Sequence, residues 1–213
     1  MSLLTVLKIL HLWGLVMGLG GAVLADMVIF RHGILKPVRR NTVPACRQLS
    51  HIVFAGLAIL WVTGAALVYM RTTQDPLFLM NQKLWAKVAI VVMLTVNGIA
   101  VHRFALPHVA RRVGRRLFDA APPLEAATLA MIATVSSVSW FMPFVLGVAS
   151  ELNFKVPALE LLAIYGAAIG MGWALLFILA SILPGFKRAA AKRPPIISAV
   201  EISRRLSYPD MTA

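Results

Sequence analysis

Residues 84–104 read LWAKVAIVVMLTVNGIAVHRF, a stretch with no charged side chain between Lys87 and Arg103. A helix needs about 20 apolar residues to cross roughly 30 Å of hydrocarbon, so this stretch is long enough for one crossing. Only helices and closed barrels satisfy their backbone hydrogen bonds in lipid. Because the apolar residues are continuous and do not alternate with polar ones, the stretch predicts a transmembrane helix.

Four other stretches have the same character, at 3–30, 49–70, 126–149 and 156–183. The whole chain is 60% apolar and 14% charged, and its mean hydropathy is +0.82. A soluble domain carries about 25% charged residues, so the composition indicates a membrane protein. We therefore predict an all-α polytopic protein, a bundle of five transmembrane helices over residues 1–186, followed by a basic cytoplasmic tail at 187–213.

The basic residues are distributed unevenly over the connections between the five stretches. Sixteen of the 21 fall on one side, in three groups: Arg31, Lys36, Arg39, Arg40 and Arg47; Arg103, Arg111, Arg112, Arg115 and Arg116; Lys187, Arg188, Lys192, Arg193, Arg204 and Arg205. The positive-inside rule makes that side cytoplasmic and the N-terminus external. We expect a protein of a bacterial plasma membrane whose net charge of +13 reflects topology and lipid contact, with no nucleic-acid partner.

Two histidines lie near the cytoplasmic ends of predicted helices, His51 in the second and His102 in the third. Their similar depth suits a b-type haem held by one imidazole from each helix; the alternative is that both reach the lipid headgroups. Covalent c-type attachment is excluded, since Cys46 is the only cysteine. The arginines that we expect to pair with haem propionates are Arg40, Arg47 and Arg103. His32 and His108 fall in connections and are expected to be ordinary surface residues.

His11 lies deep in the first helix, where an ionisable side chain is expensive and marks a candidate site. It is a candidate ligand for a second haem iron. With Lys87 and Glu160, which lie at the external ends of their helices, it forms a candidate catalytic cluster for proton transfer or for binding a substrate carboxylate. The alternatives are that Lys87 reaches the interface and that His11 hydrogen-bonds to a neighbouring helix, through Ser136, Ser137, Ser139 or Tyr165.

Other polar and small residues in the helices are predicted to make helix–helix contacts. Asp26 is expected to pair with Arg31 or Arg40, and Asn97 to hydrogen-bond between helices. Glycines spaced four apart allow close helix packing, and we expect such contacts, including a homodimer face, at Gly14, Gly18, Gly166 and Gly170.

The segment 7–14, LKILHLWG, resembles the opening helix of HemJ-type membrane protoporphyrinogen oxidases and the related CopD-like membrane proteins. The segment 84–92 resembles their tryptophan- and lysine-bearing helix. The resemblance covers about the first three predicted helices and implies a four- or five-helix membrane protein that binds b-type haem. It also implies that His11 is a haem ligand and Lys87 an essential lysine. His51 has no counterpart in the family, and Asn97 stands where a tyrosine–histidine pair is expected.

These observations favour a membrane b-type haem protein that transfers electrons to or from a quinone, a porphyrin or an electron-transfer protein. The first alternative is an enzyme similar to protoporphyrinogen oxidase. The second is a copper or small-solute transport protein, in which the charges within the helices would line a pathway. The thioethers of Met70 and Met80 are soft ligands that suit copper, and the alternative is that these methionines fill the core or an interface.

Overall fold

The computed structural model of the protein describes residues 2–119 and 121–182, so the predicted tail at 187–213 lies outside the described residues. The α-helices are α1 (Leu3–Ile29), α2 (Thr42–Gln74), α3 (Gln82–Ala100), α4 (Leu106–Arg111), α5 (Pro123–Val148) and α6 (Ala158–Ile182). π-helical turns at Phe30–Leu35 and Val101–Ala105 follow α1 and α3, and 3₁₀ turns at Pro76–Met80 and Ser150–Leu152 follow α2 and α5. The described part has no β-strand, only one isolated bridge between Val38 and Val113.

Five helical segments are long and apolar enough to cross a membrane: Leu3–Leu35, Thr42–Gln74, Gln82–Arg111, Pro123–Val148 and Ala158–Leu179. The predicted all-helical architecture with five long apolar helices is therefore confirmed. The second helix begins at Thr42, well before the predicted apolar stretch. Hydropathy marks only the apolar part of a helix, and Pro44 is tolerated in the first turn, so α2 extends into polar sequence.

Helices α1 and α2 pack as an antiparallel pair through glycines. A Cβ atom added to Gly56 would lie 2.6 Å from the backbone nitrogen of Gly18 and 2.7 Å from the carbonyl oxygen of Gly14. Only glycine permits this backbone approach, which confirms the predicted close contact at Gly14 and Gly18. Gly166 and Gly170, in contrast, face open space on α6.

Helices α3, α5 and α6 form a second packed group around Ala86, Ile90, Leu146, Leu161 and Tyr165. Two polar contacts join these helices. Ser139 Oγ and Tyr165 Oη are 2.7 Å apart, and Lys83 Nζ donates to the Ala149 carbonyl oxygen at 2.5 Å. The side chains of Lys83 in α3 and Ser139 in α5 are buried, so they make their hydrogen bonds within the protein.

The bundle has two different ends. The arginine-rich end holds the connections 30–41 and 101–122, and the opposite end holds the connections 75–81 and 149–157. At the arginine-rich end, Val38 and Gly114 join the two connections through the 2.9 Å bond from Gly114 N to Val38 O. Val38 packs there in a cluster with Val109, Leu117, Phe118, Ala126 and Leu129.

The expectation that His108 is an ordinary surface residue is wrong. Its side chain is 2% exposed, with Nδ1 2.5 Å from Glu125 Oε1 and Nε2 3.2 Å from the Leu117 carbonyl oxygen. The cause is α4, which continues the third long helix beyond its π-helical turn and brings His108 against the start of α5. Glu125 also lies near two arginine side chains, Arg111 and Arg112.

Candidate ligand-binding site

A cavity of about 510 Å³ lies in the half of the bundle nearer the arginine-rich end, with walls from α1, α2, α3, α5 and α6. Its volume is in the range of ligand pockets, and like them it is mostly apolar with a few polar groups. Those groups include Asp26, Ser50, Asn97, His102, Arg103 and Ser136. The cavity extends from His102 in the π-helical turn back along α3 to Leu94, roughly 12 Å at 1.5 Å per residue. We call it the inner cavity.

Each of the two π-helical turns carries a histidine beside an arginine, and residues of both turns or their neighbours line the inner cavity. Such turns often occur at functional sites, because the extra residue changes the direction of a side chain. The second turn places His102 in the cavity wall, with Nε2 3.3 Å from Ser50 Oγ. In the first turn His32 has non-helical angles (φ −112°, ψ 26°), and its buried Nδ1 has no hydrogen-bond partner among the described residues.

His51 does not share this cavity. It lies exposed in a separate groove of about 310 Å³ together with Val43, Pro44, Arg47 and Gln48. Successive side chains on a helix point about 100° apart, so with Ser50 directed toward His102, His51 is directed elsewhere. The structure therefore does not bring His51 and His102 to a common space. Of the three arginines predicted to pair with propionates, Arg103 lines the cavity, Arg47 lines the groove, and Arg40 is exposed in a turn.

The predicted ion pair between Asp26 and an arginine is wrong. Asp26 lines the inner cavity and accepts a hydrogen bond from Ser137 Oγ at 2.9 Å. Among the described residues no basic nitrogen lies within 4.0 Å of its carboxylate. Asp26 lies in the last turn of α1, where its side chain is directed across the bundle to a serine of α5 and not along the chain to the arginines that follow the helix.

Asn97 makes the interhelical hydrogen bond that the sequence predicts. Its Nδ2 donates to the Ile132 carbonyl oxygen of α5 at 3.2 Å, and the side chain is 7% exposed at the wall of the inner cavity. This bond uses one of the two amide hydrogens, so the second hydrogen and the amide oxygen are available at the cavity wall.

His11 bonds to α2 and to none of the four predicted partners. Its Nδ1 is 2.8 Å from Thr63 Oγ1, whose own proton is donated to the Ile59 carbonyl oxygen at 2.6 Å. A hydroxyl has one proton to give, so Nδ1 is the donor and Nε2 keeps its lone pair. The predicted partners are engaged elsewhere, Ser137 with Asp26 and Ser139 with Tyr165.

Lys87 and Glu160 differ in their relation to His11. Lys87 is partly buried and lies in the neighbourhood of His11. Glu160 is exposed in the first turn of α6 and makes no hydrogen bond or ion pair with any described residue. His11, Lys87 and Glu160 all lie outside the inner cavity.

Sequence reasoning did not identify Ser50, Thr63 or Trp140 as site residues. Trp140 lines the end of the inner cavity farthest from His102, and its ring occupies the space that a Cβ atom on Gly18 would need. Hydropathy does not distinguish these residues from others in the helices, since their roles depend on which helices are neighbours.

No group of three or more histidine, cysteine, aspartate or glutamate side chains within residues 2–119 and 121–182 is arranged to hold a metal ion. No protein-family model, curated protein or solved structure matches the sequence.

Proposed function

We propose that the chain is an integral membrane protein with its arginine-rich end in the cytoplasm. Five long apolar helices and the concentration of basic residues at one end support this proposal. The exposed sides of these helices carry large apolar residues, among them Leu12, Trp13, Val62 and Met171, which suits contact with lipid.

We further propose that the inner cavity binds a b-type haem with His102 as its axial ligand. The observation that carries this proposal is an imidazole in the wall of a large apolar cavity. Arg103, the next residue, is a partner for a propionate. The described residues supply one histidine to this cavity, so the proposal has one protein ligand and not the His51–His102 pair. When bound, haem supplies one-electron chemistry whose potential depends on its axial ligand and burial.

An absorption spectrum of the purified protein, oxidised and dithionite-reduced, tests this proposal. We expect a Soret band that is lost or shifted in His102→Ala and unchanged in His51→Ala, which removes an exposed histidine outside the cavity. Absence of a Soret band after expression with ample haem, or an equal loss in both variants, would remove haem from the proposal.

A second candidate function is oxidation of a porphyrinogen bound near His11 and Lys87, with a quinone as the acceptor of the electrons, as the family resemblance implies. The contact that favours it is the hydrogen bond between His11 Nδ1 and Thr63, because it leaves Nε2 of the neutral ring free for proton transfer, with Lys87 nearby as a partner for a carboxylate. Rescue of a bacterium lacking protoporphyrinogen oxidase by the wild type, and not by Lys87→Met, is the expected result. Failure of the wild type to rescue counts against it.

A further inference from the structure

Asp26 is the carboxylate of the inner cavity, and it lacks a cationic partner. Within the described part of the chain its hydrogen-bond donor is Ser137, which uses one of the two carboxylate oxygens. An ionisable group at membrane depth is costly and usually faces a cavity with a functional partner. The second carboxylate oxygen of Asp26 is therefore an available acceptor in a mostly apolar space.

The surroundings of Asp26 decide which kind of ligand it accepts. A ligand that placed a negative charge beside Asp26 would be repelled by the ionised carboxylate. A cation entering from the arginine-rich end meets Arg103 in the cavity wall and basic connections on both sides of it. An uncharged molecule with a hydroxyl donor and an apolar body meets neither obstacle, and it suits apolar walls that include Trp140.

Asn97 offers a second polar contact to the same ligand. On α5, Ser137 hydrogen-bonds to Asp26, and the Ile132 carbonyl oxygen accepts from Asn97. These two positions are five residues apart, so they are separated by about 7.5 Å along the helix. Both groups line the same cavity, so a ligand with two oxygens can contact both of them. Asp26 accepts from one hydroxyl, and the Asn97 amide donates to or accepts from the other oxygen.

We propose that the inner cavity binds the dihydroxy ring of a lipophilic quinol, with the Asp26 carboxylate as acceptor and the Asn97 amide as the second contact. The inference rests on the proposed membrane location and not on the haem: a cavity of about 510 Å³ has no room for both molecules, so quinol and haem are alternative occupants of it. The binding itself depends only on residues of this chain.

Calorimetric titration of the haem-free, full-length protein in detergent with decylubiquinol under argon tests this proposal. We expect saturable binding beyond partition into detergent alone. Affinity should fall about tenfold or more in Asp26→Asn, as for loss of a hydrogen bond to a charged group. Asparagine retains an acceptor for Ser137, so the variant should fold, which its thermal midpoint checks. Glu151→Gln, which changes an exposed carboxylate at the opposite end, should bind like the wild type.

Two results would overturn the quinol site: no saturable binding, or equal affinity in Asp26→Asn and the wild type. Tighter binding of tetraphenylphosphonium than of decylubiquinol, abolished by Asp26→Asn, would also overturn it and identify a cation site. Because the titration uses haem-free protein, its outcome is independent of the Soret band. Quinol binding without haem, or haem without quinol binding, separates the failure of one proposal from that of the other.

Discussion

Lys83 is a charged side chain held inside the helix packing at the opposite end of the bundle. It is 3% exposed, and its Nζ donates to the carbonyl oxygen of Ala149, the capping residue directly after α5. The last carbonyl groups of a helix lack partners within the helix, and the negative end of the helix dipole favours a cation there. Lys83 therefore satisfies the end of α5 from the start of α3.

We expect Lys83→Met to lower the free energy of unfolding by about 1.5–3 kcal/mol, the value of a hydrogen bond to a charged group. Methionine preserves most of the side-chain volume, so the loss reports the polar contact. Unfolding of the purified protein in mixed detergent micelles measures it, with Lys8→Met, at an exposed position of α1, as the control. Equal stability of the two variants would contradict this role for Lys83.

At this scale the sequence identifies which residues are unusual and does not identify their partners. His11, Asp26 and Asn97 stand out because they are polar within apolar stretches. The partners Thr63, Ser137 and the Ile132 carbonyl are common groups, and contact with them depends on helix neighbours that periodicity does not specify. Asn97 was predictable as an interhelical donor, since a buried amide in lipid needs a partner.

At the scale of helices, the glycines of α1 and α2 determine how closely these two helices approach. The small-residue spacing in α1 was readable from the sequence. Gly56 has no such motif in α2, and its role appears only when the helices cross, with its Cα facing the backbone of Gly14 and Gly18.

We expect Gly56→Val to destabilise the protein by about 1–3 kcal/mol, because the added carbons would collide with backbone atoms that cannot rotate away. Gly20→Val is the matched control, since a Cβ atom at Gly20 meets nothing within 4 Å. The midpoint of thermal unfolding in detergent compares the two variants. A midpoint for Gly56→Val at or above that of Gly20→Val would show that the crossing tolerates side chains.

The contact between α4 and α5 depends on His108 and Glu125. Both ring nitrogens of His108 face acceptors, the Glu125 carboxylate and the Leu117 carbonyl oxygen. Loss of the ring leaves the buried Leu117 carbonyl oxygen without this donor, while Glu125 is 34% exposed and keeps Arg111 and Arg112 nearby, so the cost is about 1–3 kcal/mol.

We therefore expect His108→Leu to lower stability several-fold more than His51→Leu, which removes an exposed histidine of α2. Limited proteolysis of the connection 112–122 in detergent is the measurement, because separation of α4 from α5 should expose it. Equal cleavage of the two variants would mean that the apolar cluster around Val38 and Leu117 is enough to hold this end.

At the scale of the whole molecule, the number and type of long helices were predictable from hydropathy, since continuous apolar stretches of about 20 residues are long enough for helices of membrane-spanning length. The inner cavity was not. It depends on the packing of α1, α2, α3, α5 and α6 around a space, and on π-helical turns that add a residue without changing the hydropathy. His102 and Arg103 were identified from their depth alone, and His51, at a similar depth, faces another direction.

Orientation in the membrane is the whole-molecule prediction that charge makes most directly. Cys46 is buried and is the only cysteine, so Cys46→Ser gives a background for single introduced cysteines. We expect a membrane-impermeant thiol reagent on intact cells to label Gln74→Cys, exposed at the opposite end, and to label Arg40→Cys, exposed at the arginine-rich end, only after lysis. The physical reason is that moving arginine-rich connections across the membrane is unfavourable, so they stay in the cytoplasm. Labelling of Arg40→Cys in intact cells would reverse the predicted orientation. The arginine-rich end, and the half of the bundle that holds the inner cavity, would then lie on the external side.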